Sequence, residues 1–178
     1  MALKPYALAR VYGLLETGPV VLLTTAHRGK VDVMTQSWHT MLEFEPPLVA
    51  CVVSGRNESF DALLKSRQCV LAIPTADLAR QVVACGNSHG DKVDKFAACG
   101  LTPLPAREVG APLIAECYAN LECRVVDTRE VNRYNLFVLE VVQAWLDKTV
   151  KDPRTLHHRG RGAFMVAGET VKLPSRAK

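Results

Sequence analysis

Residues 113–146, LIAECYANLECRVVDTREVNRYNLFVLEVVQAWL, decide the fold. Two apolar, β-branched segments, Leu113–Val126 and Tyr134–Leu146, flank the polar stretch Asp127–Arg133. Strands in globular proteins run to about 10 residues, and longer ones commonly curve around a barrel. Upstream, Val20–Ala26 and Val31–Thr40 flank the turn His27-Arg28-Gly29-Lys30, which predicts a β-hairpin. Pro46-Pro47 closes the second of these strands, and the wholly apolar run Leu48–Ser54 predicts a strand buried on both faces. Gly55-Arg56-Asn57 ends it, and Phe60, Leu63 and Leu64 set a helical period over Glu58–Ser66. Asn57 stands at the N-cap, with Glu58 and Asp61 in the first turn where the helix dipole favours acids.

The rest of the chain follows the same logic. Cys69–Ile73 reads as a buried strand ended by Pro74. Asp77–Cys85 reads as a helix capped by Thr75 or Asp77 and stopped at Gly86, and Asp91–Cys99 as a helix stopped by Gly100. An opening helix is expected over Tyr6–Leu15, and one more strand over Ala163–Ala167 among the turn glycines Gly160, Gly162 and Gly168. With no internal repeat or linker, residues 1–178 are predicted to form one domain, mainly β: an antiparallel barrel with short peripheral helices.

Composition narrows the function. The chain of 178 residues is 48% apolar and 22% charged, an ordinary globular balance. A net charge of +4 is small, and the basic residues cluster only at Arg154–Arg161 and Arg176–Lys178, which argues against a nucleic-acid or membrane-surface protein. Lys4, Pro5, Arg10 and Glu16 interrupt the N-terminal region, and charges break every apolar run short of the ~18 residues that span a bilayer. A soluble, cytoplasmic protein is the expectation. The six cysteines form no C-x-x-C pair and sit in apolar segments, so they are expected to be buried thiols, neither metal ligands nor disulfides.

The chain has no Walker phosphate loop, no G-x-G-x-x-G, no H-E-x-x-H and no G-x-S-x-G. His157-His158 is an isolated pair with no third ligand spaced to join it in holding a metal. Three other segments could carry chemistry. In Met34-Thr35-Gln36-Ser37-Trp38-His39, a strand period puts Thr35, Ser37 and His39 on one face and Met34, Gln36 and Trp38 on the other. Such a strand either borders a polar, ring-shaped ligand or turns its polar face to water. In Ser54-Gly55-Arg56-Asn57-Glu58-Ser59-Phe60, helix-start N–H groups, the Asn57 and Ser59 side chains and the Arg56 guanidinium make either an anion site suited to a phosphate monoester or an ordinary capped helix. The loop Cys85-Gly86-Asn87-Ser88-His89-Gly90-Asp91-Lys92 either offers backbone donors to a ligand or merely connects two helices. None of the three contains a nucleophile paired with a base.

Taken in order, M-T-Q-S-W-H (34–39), P-P-L-V (46–49), N-E-S-F (57–60), C-V-L-A-I-P-T (69–75), G-N-S-H-G (86–90), D-K-F (94–96), A-P-L-I-A-E-C (111–117) and H-H-R-G-R-G-x-F (157–164) resemble the flavin reductase-like, flavoredoxin-type family. The resemblance spans roughly residues 15–170. It implies an FMN-binding split barrel that forms a homodimer. The strand Met34–His39 would run past the isoalloxazine ring, the turn Ser54–Phe60 would receive the phosphate, and Asn87, Ser88 and Lys92 would add contacts. It also implies an oxidoreductase that passes hydride from NADH or NADPH through FMN, or alternatively a flavoredoxin-like carrier that docks a protein redox partner. Because the flavin performs the redox chemistry, no catalytic side chain is expected.

Overall fold

The computed structural model describes residues 18–174. The helix expected over Tyr6–Leu15 lies outside the described residues. Seven strands form one antiparallel sheet: β1 Val21–His27, β2 Lys30–Gln36, β3 His39–Phe44, β4 Pro47–Val52, β5 Gln68–Ile73, β8 Ala119–Asp127 and β9 Leu136–Leu146. Their spatial order is β2-β1-β5-β8-β9-β4-β3. Two short pairs stand outside the sheet: β6 Pro103–Leu104 with β7 Leu113–Ile114, and β10 Leu156–His158 with β11 Phe164–Val166. The helices are α1 Glu58–Ser66, α2 Ala79–Asn87, α3 Lys95–Cys99 and the single turn α4 Val131–Tyr134.

The eleven-residue β9 pairs with β8 on one side and β4 on the other. Register shifts at Glu122/Cys123 and Val125/Asp127 insert extra residues, and such bulges bend and coil a strand pair. Strand alternation then sorts the side chains into two cores. Val21, Leu23, Cys51, Cys69, Leu71, Cys123, Phe137 and Leu139 form one, closed by Leu63 of α1. Leu22, Val33, Val70 and Ala72 point the other way, against Val82 and Cys85 of α2 and Phe96 and Cys99 of α3. Burial of each large apolar side chain contributes about 1.5–3 kcal/mol.

The expected single strand Val31–Thr40 is in fact two, interrupted at Ser37-Trp38. At that break the chain leaves one edge of the sheet, β2, and re-enters at the other, β3. The buried Gln36 side chain holds the crossing, its Nε2 donating to Val52 O at 2.7 Å and Trp38 O at 3.0 Å. The expected strand Leu113–Val126 likewise divides into β7 and β8, because Asn120 folds its amide back onto Ile114 N and O at 2.8 and 3.1 Å. The helix expected over Asp77–Cys85 opens as a 3-10 turn, Ala76–Leu78, and runs through Gly86 to Asn87. Of the expected Asp91–Cys99 helix, only Lys95–Cys99 forms, because Asp94 caps it by accepting from Phe96 N and Ala97 N. All six cysteines are buried and free, as expected. No helix among the described residues is long and apolar enough to cross a membrane.

Candidate functional site

The interruption at Ser37-Trp38 opens a groove of about 610 Å³. One wall is the end of β2 (Met34, Thr35, Gln36) continued by Trp38, which is 57% exposed. Val52, Ser54 and Asn57, from the end of β4 to the start of α1, make the next. The C-terminal end of α2 and the residue after it (Cys85, Gly86, Ser88) face them, and Arg133, Tyr134 and Asn135 close the rim. Asn135 adopts a left-handed φ of 56°, a conformation asparagine tolerates, and its carbonyl accepts from Val53 N at 3.0 Å. That bond ties α4 to the exit of β4.

The turn entering α1 is built by its own backbone: Asn57 N donates to Ser54 O at 2.9 Å, and Arg56 N to Ser54 Oγ at 3.3 Å. Asn57 occupies the N-cap with extended backbone, yet its side chain makes no capping bond and lines the groove. Beneath the groove sits a buried ion pair. Lys95 Nζ lies 3.3 Å from Asp32 Oδ1 and donates to Val33 O at 2.8 Å, and Ser59 Oγ donates to Asp32 Oδ2 at 2.8 Å. Lys95 is 6% exposed and forms part of the groove wall. The loop after α2 packs tightly over this pair: a Cβ added at Gly90 would come within 2.3 Å of Asp32 Oδ1.

Of the residues singled out from the sequence, Met34, Thr35, Gln36, Trp38, Ser54, Asn57 and Ser88 line the groove. Ser37 and Asn87 border a smaller cavity on the other side of Thr35. His39 turns away, its Nε2 2.7 Å from Pro19 O, beside an apolar chamber lined by Met41, Val49 and Leu71. Arg56 and Lys92 are exposed near the groove without lining it. Ser59 is fully buried on Asp32, and Phe60 packs edge-on against Phe137 at 5.5 Å.

Cys85 and Gly86, which open the loop singled out from the sequence, also line the groove, whereas sequence reasoning passed over Val52, Lys95, Arg133, Tyr134 and Asn135 as lining residues. Lys95 did leave a signal, a lysine at the start of a helix whose neighbours Phe96 and Cys99 face the core. The pairing of Cys85 with Cys99 left none, since 14 positions part them in the chain. Burial, together with a hydrogen bond between the two thiols, pushes the Cys85 thiol far above its ordinary range. Among the described residues no group of three or more His, Cys, Asp or Glu side chains could hold a metal ion.

Comparison with known proteins matches this architecture. The chain is 34% identical over 125 residues to the reductase component of 4-nitrophenol 4-monooxygenase/4-nitrocatechol 2-monooxygenase from Rhodococcus opacus, covering 70% of this chain and 64% of that one. Among solved structures, an FMN-binding domain of a flavin reductases-like enzyme from Shewanella baltica OS155 superposes with a TM-score of 0.83 at 27% identity, covering 96% of this chain and 97% of that one. A flavoredoxin of Desulfovibrio vulgaris (Miyazaki F) shares the fold with a TM-score of 0.85 at 21% identity, covering 99% of both chains. A family model described as a flavin reductase like domain matches residues 15–164, and the chain therefore belongs to the flavin reductase-like family, with its mostly antiparallel split-barrel architecture.

Proposed function

We propose that the chain binds FMN in the groove beside Met34–Trp38 and acts as an NAD(P)H-dependent flavin oxidoreductase. The observation that carries the reading is the groove's lining. An apolar flank (Met34, Val52, Trp38, Tyr134) suits a planar ring, and hydroxyl, amide and cationic groups (Ser54, Asn57, Ser88, Lys95, Arg133) suit a polar tail. At about 610 Å³ it falls within the ~300–1,000 Å³ usual for small-molecule and cofactor sites. FMN, when bound, supplies the redox chemistry, accepting a hydride equivalent and passing its electrons to an acceptor.

The residues of the chain bind and orient. Ser54 and Asn57, with the first N–H groups of α1 and the nearby Arg56 guanidinium, make the anchor for the phosphate. Lys95, its charge balanced by Asp32, contributes a fixed polar group to the groove wall. No side-chain acid or base is assigned, because hydride transfer to a flavin requires none. The functional unit is proposed to be a homodimer. The edge strand β3 exposes Met41, Leu42 and Phe44, the last 88% exposed, and a second copy over such a strand would bury it.

Anaerobic stopped-flow mixing of the FMN-loaded protein with NADH and with NADPH tests the reaction. Bleaching of the flavin absorbance by at least one of them is expected. A protein that holds FMN but is bleached by neither is a flavoredoxin-like carrier that needs a protein partner. A protein that purifies colourless and does not bind added FMN overturns the cofactor assignment.

A further inference from the structure

Three parts of the groove wall, far apart in the chain, converge on one carboxylate that does not line the groove. Asp32, 6% exposed, sits on β2 two residues before Met34, the first groove-lining residue of that strand. Its Oδ2 accepts from the Ser59 hydroxyl at 2.8 Å, which ties it to the helix start that follows Ser54 and Asn57. Its Oδ1 lies 3.3 Å from the Nζ of Lys95, the first residue of α3 and a groove-wall residue. The loop between α2 and α3 lies against the same group, since a Cβ added at Gly90 would come within 2.8 Å of the Asp32 Cγ.

Away from the groove, Asp32 borders a small cavity of about 100 Å³ whose other carboxylates and lysines pair with each other, Lys30 with Glu58 at 3.4 Å and Lys65 with Asp61 at 2.9 Å. Among the described residues Lys95 is the one ion-pair partner of Asp32. The Lys95 ammonium also donates to Val33 O at 2.8 Å, so it is held from two sides. Two opposite charges this close nearly cancel at the distance of a ligand, because each acts as the inverse of nearly the same separation. With Asp32 ionised, the lysine in the groove wall therefore adds almost no net charge toward the groove.

We propose that Asp32 is a positioning residue that sets ligand specificity: by balancing Lys95 in the groove wall, it determines how strongly the groove prefers a phosphorylated flavin to an unphosphorylated one. Asp32 touches no ligand and acts through Lys95. The inference rests on the reading of the groove as the FMN site. A phosphate monoester carries about two negative charges at pH 7, whereas riboflavin carries none. Removing the charge of Asp32 leaves the wall one positive charge richer. Removing the charge of Lys95 leaves an unanswered negative charge beneath the wall, and removing both restores the parental balance.

The test is a fluorescence titration, at pH 7 and low salt, of FMN and of riboflavin with the parent, Asp32→Asn, Lys95→Met and the double variant Asp32→Asn/Lys95→Met. The quantity read is the preference, the riboflavin Kd divided by the FMN Kd. It should rise at least about threefold in Asp32→Asn and fall at least about threefold in Lys95→Met. In the double variant it should stay within about threefold of the parental value. Both single-variant shifts should shrink in about 1 M salt, where charges are screened beyond about 3 Å. A merely structural role moves the two single variants the same way, since each loosens the same wall. Any result other than opposed shifts of this size overturns the proposal. The double variant strands no charge, so it carries the test even where a single variant does not fold, and a preference changed more than about threefold there overturns the proposal. A parent that binds neither flavin overturns the reading of the groove and this inference with it. A parent that binds FMN, with no opposed shifts in the variants, refutes the role of Asp32 alone.

Discussion

Replacing Asp32 with Asn keeps the shape of the side chain and removes its charge, leaving the Lys95 ammonium without its counter-ion. Both side chains are almost wholly buried, the pair is 3.3 Å apart, and Lys95 otherwise donates to the neutral carbonyl of Val33. Removing one partner of a buried pair costs about 3–5 kcal/mol, because the charge left behind can be neither solvated nor paired. The lower end applies here, since the amide oxygen of the Asp32→Asn side chain can still accept from Ser59, and Val33 O still accepts from Lys95. A loss of about 3 kcal/mol corresponds to a Tm about 6–12 °C lower for a chain of this size. Lys95→Met should cost a similar amount by stranding the carboxylate. The double variant Asp32→Asn/Lys95→Met buries no unpaired charge, so its loss should fall short of the sum of the singles by about 1–3 kcal/mol. Urea unfolding at pH 7, followed by far-ultraviolet circular dichroism at one fixed protein concentration, measures all three differences. A loss below about 1 kcal/mol for Asp32→Asn, or strict additivity in the double variant, would refute the reasoning.

Other outcomes follow from other parts of the structure. Burial alone would raise the Glu122 carboxyl, but hydrogen bonds from the Trp145 indole and from the backbone N–H groups of Arg107, Glu108 and Val109 outweigh it and hold the group below its ordinary value. A depressed folded-state pKa contributes stability above the unfolded value, about 4.3, that is lost as pH falls through the folded one. Acid titration of stability should therefore show a shallower decline below about pH 4.5 in Glu122→Gln than in the parent, and identical acid limbs would count against the assignment. Arg56→Ala should weaken FMN by about tenfold and riboflavin hardly at all, as judged by quenching of flavin fluorescence. Equal losses for the two ligands would remove Arg56 from the phosphate anchor. Cys85→Ser should retain most of any nicotinamide-driven flavin reduction, because burial keeps this thiol protonated at neutral pH and a flavin passes hydride without a thiol relay. Loss of turnover with bound FMN intact would show that the enzyme uses Cys85.

The groove and the smaller cavity behind it share Thr35 and Gly86, and both depend on where β2 stops. Ending the strand at Gln36 frees Trp38 for one space and Ser37 for the other. Those two residues would alternate faces in a continuous strand.

Local sequence was enough to find most of the sheet strands and the helices Glu58–Ser66 and Ala79–Asn87, because alternation, caps and turn residues act within a few positions, but not the breaks within two of the strands, the short strands β6 and β10 or the turn α4. The hairpin of β1 and β2 with its glycine turn, the wholly apolar β4, the helix Glu58–Ser66 and the long β9 were all readable this way. The segments Met34–His39 and Ser54–Phe60 were likewise legible as candidate site segments, and Met34, Thr35, Gln36, Trp38, Ser54 and Asn57 from them line the groove, while His39, Ser59 and Phe60 do not. What the chain could not display locally is contact between residues far apart in it. Gln36 reaches Val52 across 16 positions, Lys95 reaches Val33 across 62, and Asp32 and Ser59 meet across 27. Those bonds break the apparent strand at Ser37, draw Ser59 into the core and bring a buried lysine to the groove wall. They form only after strand pairing has closed the intervening loops, so tertiary structure alone decides them.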